Sequence, residues 1–234
     1  MDENKELYKL FVLQCEDLLV LAEMGHNGMY FNSENALEYA KNLQEQVDDL
    51  VESFHRICGS CVINVGSDHH VSAVLFGGFI VEEHRVPNGV YKSGARKGEI
   101  RYARQDITHS FLRRVKPIEN TETAWSEKRR DKGLSDKECQ WSVSEEVLKT
   151  VRAKGEDKEL IKIILEYRRL EKLINTYLMG WTNLIKDNCW EHNMIFGKLN
   201  QCVAVTGRLS STQPNLQNPD KETKRFLESR YDIY

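Results

Sequence analysis

The chain has 234 residues, 40% hydrophobic and 29% charged, with a formal net charge of −3. That balance fits a globular chain long enough for one or two cores and excludes a wholly basic nucleic-acid binder. No uninterrupted apolar run approaches the ~20 residues that span a bilayer, and Met1-Asp2-Glu3-Asn4-Lys5-Glu6 lacks a secretory pattern, so a cytoplasmic protein without membrane contact is expected.

A first helix is predicted from about Glu3 to Glu23, where Leu7, Leu10, Phe11, Leu18, Leu21 and Ala22 fall at helical spacing before Gly25 ends it. A second is predicted from Ser33, as N-cap, to Phe54. Its acidic run, Glu34, Glu38, Glu45, Asp48, Asp49 and Glu52 against Lys41 alone, suggests a face turned away from anions. Ser67 is placed to cap a third helix. His69 and His70 are adjacent and so cannot share a helical face as i,i+4 metal ligands would. Cys58 and Cys61 form a lone CxxC with no second pair at finger spacing, which favours core thiols over zinc. The remaining cysteines, Cys15, Cys139, Cys189 and Cys202, are scattered, and in a reducing compartment they read as buried thiols too.

Between Gly78 and Trp141 the pattern turns to short strands, at Phe79-Ile80-Val81, Val90-Tyr91, 99–104 and 109–112, with turns at Pro87-Asn88-Gly89 and Lys92-Ser93-Gly94. From Lys92 to Lys116 the basic residues Lys92, Arg96, Lys97, Arg101, Arg104, Arg113, Arg114 and Lys116 face only Glu99 and Asp106, a stripe suited to phosphates. The polar stretch Glu119 to Glu138 reads as a mobile loop. Ser144 is placed to cap a further helix. The longest element runs from Lys158 to about Ile185, where Leu160, Ile164, Tyr167, Leu170, Ile174, Tyr177, Trp181 and Leu184 recur every three or four residues. About 28 residues at 1.5 Å each make a rod roughly 42 Å long.

Residues 193–205 read as strands leading into the most informative run, Thr206-Gly207-Arg208-Leu209-Ser210-Ser211-Thr212-Gln213-Pro214-Asn215-Leu216-Gln217-Asn218. Gly207 frees the backbone, and Arg208 supplies a planar fork of donors that a lysine lacks. Ser210, Ser211 and Thr212 carry short hydroxyls suited to phosphate oxygens, and Asn215, Gln217 and Asn218 carry paired donors and acceptors. In the minor groove every base pair presents an acceptor at purine N3 or pyrimidine O2, so such donors test pair geometry without reading sequence. By composition alone the run is a solvated loop, and its ordered identity is what argues otherwise.

In that order the residues resemble the DNA-contacting signature of family A DNA polymerases, the class of bacterial DNA polymerase I, while the long insertion between Gly78 and Trp141 resembles a bacteriophage type. Arg168-Arg169-Leu170-Glu171-Lys172-Leu173-Ile174-Asn175-Thr176-Tyr177 is similar to the family's thumb helix. Leu199-Asn200-Gln201 is similar to its strand before the signature, with departures at Val205 and at Asn218-Pro219. The resemblance implies an α+β fold: a helical thumb with long antiparallel helices, a small β insertion, and the first strands of a palm sheet. It divides the chain into N-terminal helices (1–62), a thumb with a basic β insertion near 79–141 (63–188), and the start of a palm (189–234).

By the same resemblance the chain grips primer–template DNA in replication through Thr206, Arg208, Ser210, Ser211, Asn215, Gln217, Asn218, Asn200, Gln201, Lys172 and Lys97. It implies a DNA-directed DNA polymerase, a nucleotidyltransferase, whose catalytic carboxylates lie on a complementary chain with fingers and active palm. No catalytic or metal-binding residue is expected here: Asp232 comes too early for the family's first metal carboxylate. Mg2+ belongs to the complete polymerase and no cofactor to this chain, which is expected to be inactive alone. Two other readings stay open. One is a non-catalytic DNA-binding remnant, and the other a helical interaction module whose long stripe binds another helix.

Overall fold

The computed structural model of the chain describes residues 3–121, 141–201 and 203–228. Cys139, Cys202, Asp232 and nearly all of the predicted polar loop lie outside the described residues. In chain order the elements are α1 (Glu3–Asn27), β1 (Met29–Phe31), α2 (Ser33–Cys58), α3 (Asp68–Phe76), β2 (Gly78–Val90), β3 (Ile100–Phe111), α4 (Glu145–Thr150), α5 (Glu156–Lys172), a π-helical stretch (Leu173–Leu178), α6 (Met179–Asp187), β4 (Met194–Ile195), β5 (Lys198–Asn200), β6 (Ser210–Thr212) and β7 (Leu227–Glu228). Short 3-10 turns at Glu191–Asn193 and Thr223–Phe226 precede β4 and β7. This is the expected mixture of helices with small antiparallel sheets.

The chain forms two compact units, one from 1–47 with 169–234 and the other from 48–168. The boundaries read from sequence, at 62/63 and 188/189, do not coincide with these.

In the first unit α1 runs through Gly25 to Asn27 rather than stopping near Glu23. The break comes at Gly28, whose φ of 63° suits glycine and where a Cβ would lie 2.7 Å from the Phe196 ring. β1 then forms the centre of a sheet ordered β4-β1-β7, antiparallel on both sides. Asn32, not Ser33, caps α2: its side-chain oxygen accepts the Asn35 amide at 3.2 Å, while the Ser33 hydroxyl donates to the Phe31 carbonyl. The helix continues past Phe54 to Cys58.

The second unit closes around Phe54, Ile63, Val74, Phe76, Leu160 and Ile164, all at 1% exposure or less. Ser67 and Ser144 cap α3 and α4 as expected, accepting the amides of His70 and Val147. In place of several short strands there is one long two-stranded ribbon, β2 against β3, from Gly78↔Phe111 to Val90↔Ile100. Pro87-Asn88-Gly89 is no turn: it sits within β2, where the register shifts between Pro87 and Val90, as proline and glycine do at an irregular edge.

The predicted 28-residue rod is helical but not uniform, since Leu173–Leu178 widens to a π-helix between α5 and α6. Its stripe is core: Leu160 and Ile164 are buried in the second unit, and Leu170, Ile174 and Trp181 in the first. That stripe is therefore not free to bind another helix, which overturns the helical-module reading. The expectation of buried thiols also fails: Cys15, Cys61 and Cys189 are exposed and Cys58 is half-buried, because each lies on or beyond the outer side of its element. Burial pushes the Cys58 thiol up to about 11. All four are free.

Ile164 has no exposed surface, so Ile164→Ala leaves a cavity in the second unit and costs about 2–5 kcal/mol. Urea denaturation followed by far-UV circular dichroism checks this, and exposed Lys162→Ala serves as a control with no comparable effect.

Candidate nucleic-acid interface

β5 and β6 form a hairpin in the first unit, with Lys198↔Thr212, Leu199↔Ser211 and Asn200↔Ser210 in register. It carries the predicted strand and signature together. The Asn200 amide donates to the Thr212 hydroxyl at 3.2 Å. Between the strands, Gly207 takes a φ of 71° and its amide donates to the Ala204 carbonyl at 2.9 Å, so Thr206 and Arg208 stand exposed at the bend.

After β6 the loop is tied by its own polar groups. The Ser211 hydroxyl donates to the Pro214 carbonyl at 3.2 Å and accepts the Leu216 amide at 3.1 Å. The Asn215 side chain accepts the Gln217 amide at 3.0 Å, and the Tyr177 hydroxyl donates to the Asn218 carbonyl at 2.9 Å. A Cβ on Gly197 would come within 2.7 Å of Leu216, so only glycine lets the loop seat there.

These bonds use backbone and short hydroxyls, and they leave the larger donors outward. Arg208, Asn215, Gln217 and Asn218 are exposed, and Arg208 has no ion pair among the described residues. Ser211 is buried with its hydroxyl fully engaged. The Ser210 hydroxyl is buried without a partner among the described residues. Gln201 is half-buried, and Lys172 is exposed on the last turn of α5. Lys97 lies instead in the second unit, beyond the end of β2.

The predicted basic stripe separates into two groups. Arg113 donates to the Phe76 carbonyl at 3.1 Å, and Arg114 donates to the Ile57 carbonyl at 2.9 Å and pairs with Asp157 at 3.4 Å. These two arginines brace the second unit, which corrects their assignment to a phosphate-binding stripe. Lys92, Lys97 and Arg101 are exposed and make no ion pair among the described residues.

Sequence reasoning missed one cluster altogether. Glu222 accepts from the Tyr39 hydroxyl at 2.6 Å and from Arg169 at 2.8 Å, joining α2, α5 and the turn before β7. The Tyr39 hydrogen bond, helped by Arg169, holds the Glu222 carboxyl below the usual glutamate range, and the same carboxylate raises the Tyr39 phenol. Its members are 183 and 53 residues apart, so no local spacing could reveal it. Among the described residues no group of three or more His, Cys, Asp or Glu could hold a metal ion, and no step through a divalent ion is assigned to them. No helix of the described residues is long and apolar enough to cross a membrane.

Residues 119–231 match the family described as DNA polymerase family A. DNA polymerase I of Bacillus subtilis (strain 168) is 24% identical over 217 residues, 92% of this chain and 18% of that protein. DNA polymerase I of Bacillus caldotenax is 44% identical over 61 residues, 26% of this chain and 7% of that protein. The POL domain of Pol1 from M. smegmatis, solved in complex with DNA primer-template and dNTP, shares the fold at a TM-score of 0.54 and 20% identity, over 88% of this chain and 27% of that one. Over residues 119–231 the chain is thus similar to family A DNA polymerases, and bacterial DNA polymerase I proteins are among its relatives. It spans less than a fifth of the length of these polymerase I relatives.

Glu222 gives a pH prediction for this unit. A depressed folded value means that its stabilisation is present above the ordinary glutamate value of about 4.3 and is lost as pH falls through the folded one. Wild type should therefore melt above Glu222→Gln at pH 6–7, with the gap closing below pH ~4.3. Parallel melting curves across that range give the readout.

Proposed function

We propose that the chain is the DNA-holding part of a family A DNA polymerase, thumb and first palm strands, that grips primer–template duplex during replication. The observation that carries this reading is the hairpin and loop from Lys198 to Asn218, tied by its own hydrogen bonds so that Arg208, Gln217 and Asn218 face outward. Donors carried on a backbone held in that way suit minor-groove acceptors and backbone oxygens, and the backbone behind Gln217 and Asn218 loses little entropy on binding. Thr206, Asn200, Gln201 and Lys172 flank them as backbone contacts. Ser210 and Ser211 act through the shape of the loop. Primer–template affinity should be independent of sequence and fall steeply with salt. Arg208→Ala should weaken it by roughly 1–3 kcal/mol. Fluorescence anisotropy on folded protein tests this, and no binding at low salt would overturn the reading.

The partner we propose is a polymerase part carrying the fingers and the active palm, where Mg2+ is bound. Support for it comes from α1. Leu7, Tyr8, Phe11, Leu13, Leu19 and Val20 are all more than half exposed on several faces of this helix. That many large apolar side chains left exposed on one helix mark a surface for a protein partner. An open groove of about 700 Å³ beside it, lined by Leu18, Leu21, Leu184, Trp190 and Phe196, offers further apolar surface. Alone, the chain should add no nucleotide in primer extension, and mixing it with such a part should restore synthesis. Extension by the purified chain alone would overturn this division of labour.

A further inference from the structure

We propose that the β2–β3 ribbon is a second contact to the phosphate backbone of duplex DNA, made through residues 85–104 independently of the signature loop. This rests on the DNA-binding reading above and adds to it a separate site in the second unit.

The outer half of the ribbon packs on little. Val90, Ile100 and Tyr102 are 54%, 52% and 55% exposed, and the segment from Lys92 to Ile100 is exposed throughout. A two-stranded ribbon is marginally stable in water by itself, so its outer half, away from the buried Ile80, gains from a partner that orders it. Its charge names that partner's chemistry. Residues 85–104 contain Arg85, Lys92, Arg96, Lys97, Arg101 and Arg104 against the single acid Glu99. Arg96 lies 4.0 Å from Glu99, and Arg104 binds Asp106 at 2.7 Å. Arg85, Lys92, Lys97 and Arg101 make no ion pair among the described residues.

The register sharpens the point. Arg85 lies directly opposite Arg104, whose charge Asp106 already meets at 2.7 Å, so Arg85 is the member of that cross-strand pair left without an ion pair among the described residues. The other acids of the ribbon, Glu82, Glu83 and Asp106, all belong to its inner half. The positive end is therefore the outer end.

Two polyanions could answer this, a duplex or an acidic protein segment. The dimensions favour the duplex. From Arg85 to Val90 the outer half of β2 runs about 20 Å at 3.3 Å per residue, and the ribbon's bases without ion pairs lie on both strands and in the segment joining them rather than gathered in one pocket. B-DNA presents a charge every ~1.7 Å along its axis, and its major groove admits a two-stranded ribbon. Such a contact is blind to sequence and depends on counterion release.

The test uses the full chain with a fluorescent duplex of about 30 base pairs, titrated across salt. Three contacts each contribute about 0.9 to the slope of log affinity against log salt. The combined variant Lys92→Ala/Lys97→Ala/Arg101→Ala should therefore lower that slope by about 3. Arg208→Ala should lower it by about 1 or less. Hydrogen exchange at residues 85–104 should slow on adding duplex to the wild type. A triple variant that melts like wild type and keeps the wild-type slope overturns the ribbon contact, while weaker binding by Arg208→Ala in the same series leaves the signature reading standing. Failure of the wild type to bind any duplex sinks both. A poly-glutamate peptide that binds wild type but not the triple variant, beside an unchanged duplex slope, would assign the ribbon to an acidic protein partner instead.

Discussion

Phe31 is the residue on which the first unit depends. It ends a three-residue strand that pairs with β4 on one side and β7 on the other, and its side chain is completely buried. The ring meets Trp181 edge-on at 5.5 Å and Phe226 at 6.5 Å, and Phe226 in turn lies 5.7 Å from Tyr39. Strands of two or three residues contribute few hydrogen bonds, so this aromatic cluster, rather than the ladder, must supply most of the binding between early and late chain. The Tyr39–Glu222–Arg169 cluster then fixes the orientation of the turn that delivers β7. The signature loop depends on both, because it is the segment between β6 and that turn.

Positive charge is distributed by role, and the acceptor each base meets decides the role. Arg168 donates to the Val143 carbonyl and to Asp68 at 2.6 Å, and Arg113 and Arg114 satisfy the carbonyls of Phe76 and Ile57. The Phe76 and Ile57 carbonyls lie at the C-terminal ends of α3 and α2, where acceptors would otherwise go unmet. Guanidinium suits the task because it donates in several directions from one plane. Arg208, Arg85, Lys92, Lys97 and Arg101 make no ion pair among the described residues. A net charge of −3 therefore says little about anion binding here, since it averages bases engaged within the fold with bases left on the surface.

What was legible in the sequence was what local periodicity encodes. The stripe Leu160, Ile164, Leu170, Ile174, Trp181 is the core it promised, and Ser67 and Ser144 cap the helices they precede. Local signals failed where a distant partner decided. Gly25 does not end α1, because Gly28 is the position that turns back beneath Phe196. Pro87-Asn88-Gly89 carries turn chemistry but lies opposite the strand holding Tyr102, and cross-strand pairing overrides it. Arg113 and Arg114 looked like part of a surface stripe because sequence shows charge and not the carbonyl it will meet. For the signature, sequence supplied residue types, while the ties through Ser211, Gly197 and Tyr177 that decide which side chains face outward appeared only in three dimensions.

α1 and the ribbon pose the same physical problem in opposite chemistries. α1 exposes large apolar side chains on several faces, an arrangement that water disfavours by about 25 cal/mol for each Å² left uncovered. The outer ribbon exposes bases on both faces, which repel one another at low salt. Neither feature improves the stability of the isolated chain, and both persist in elements that are otherwise well formed. Interactions that cost stability in a lone chain and are recovered in a complex are the signature of surfaces selected for partners. An apolar helix calls for a protein surface and a basic ribbon for a polyanion.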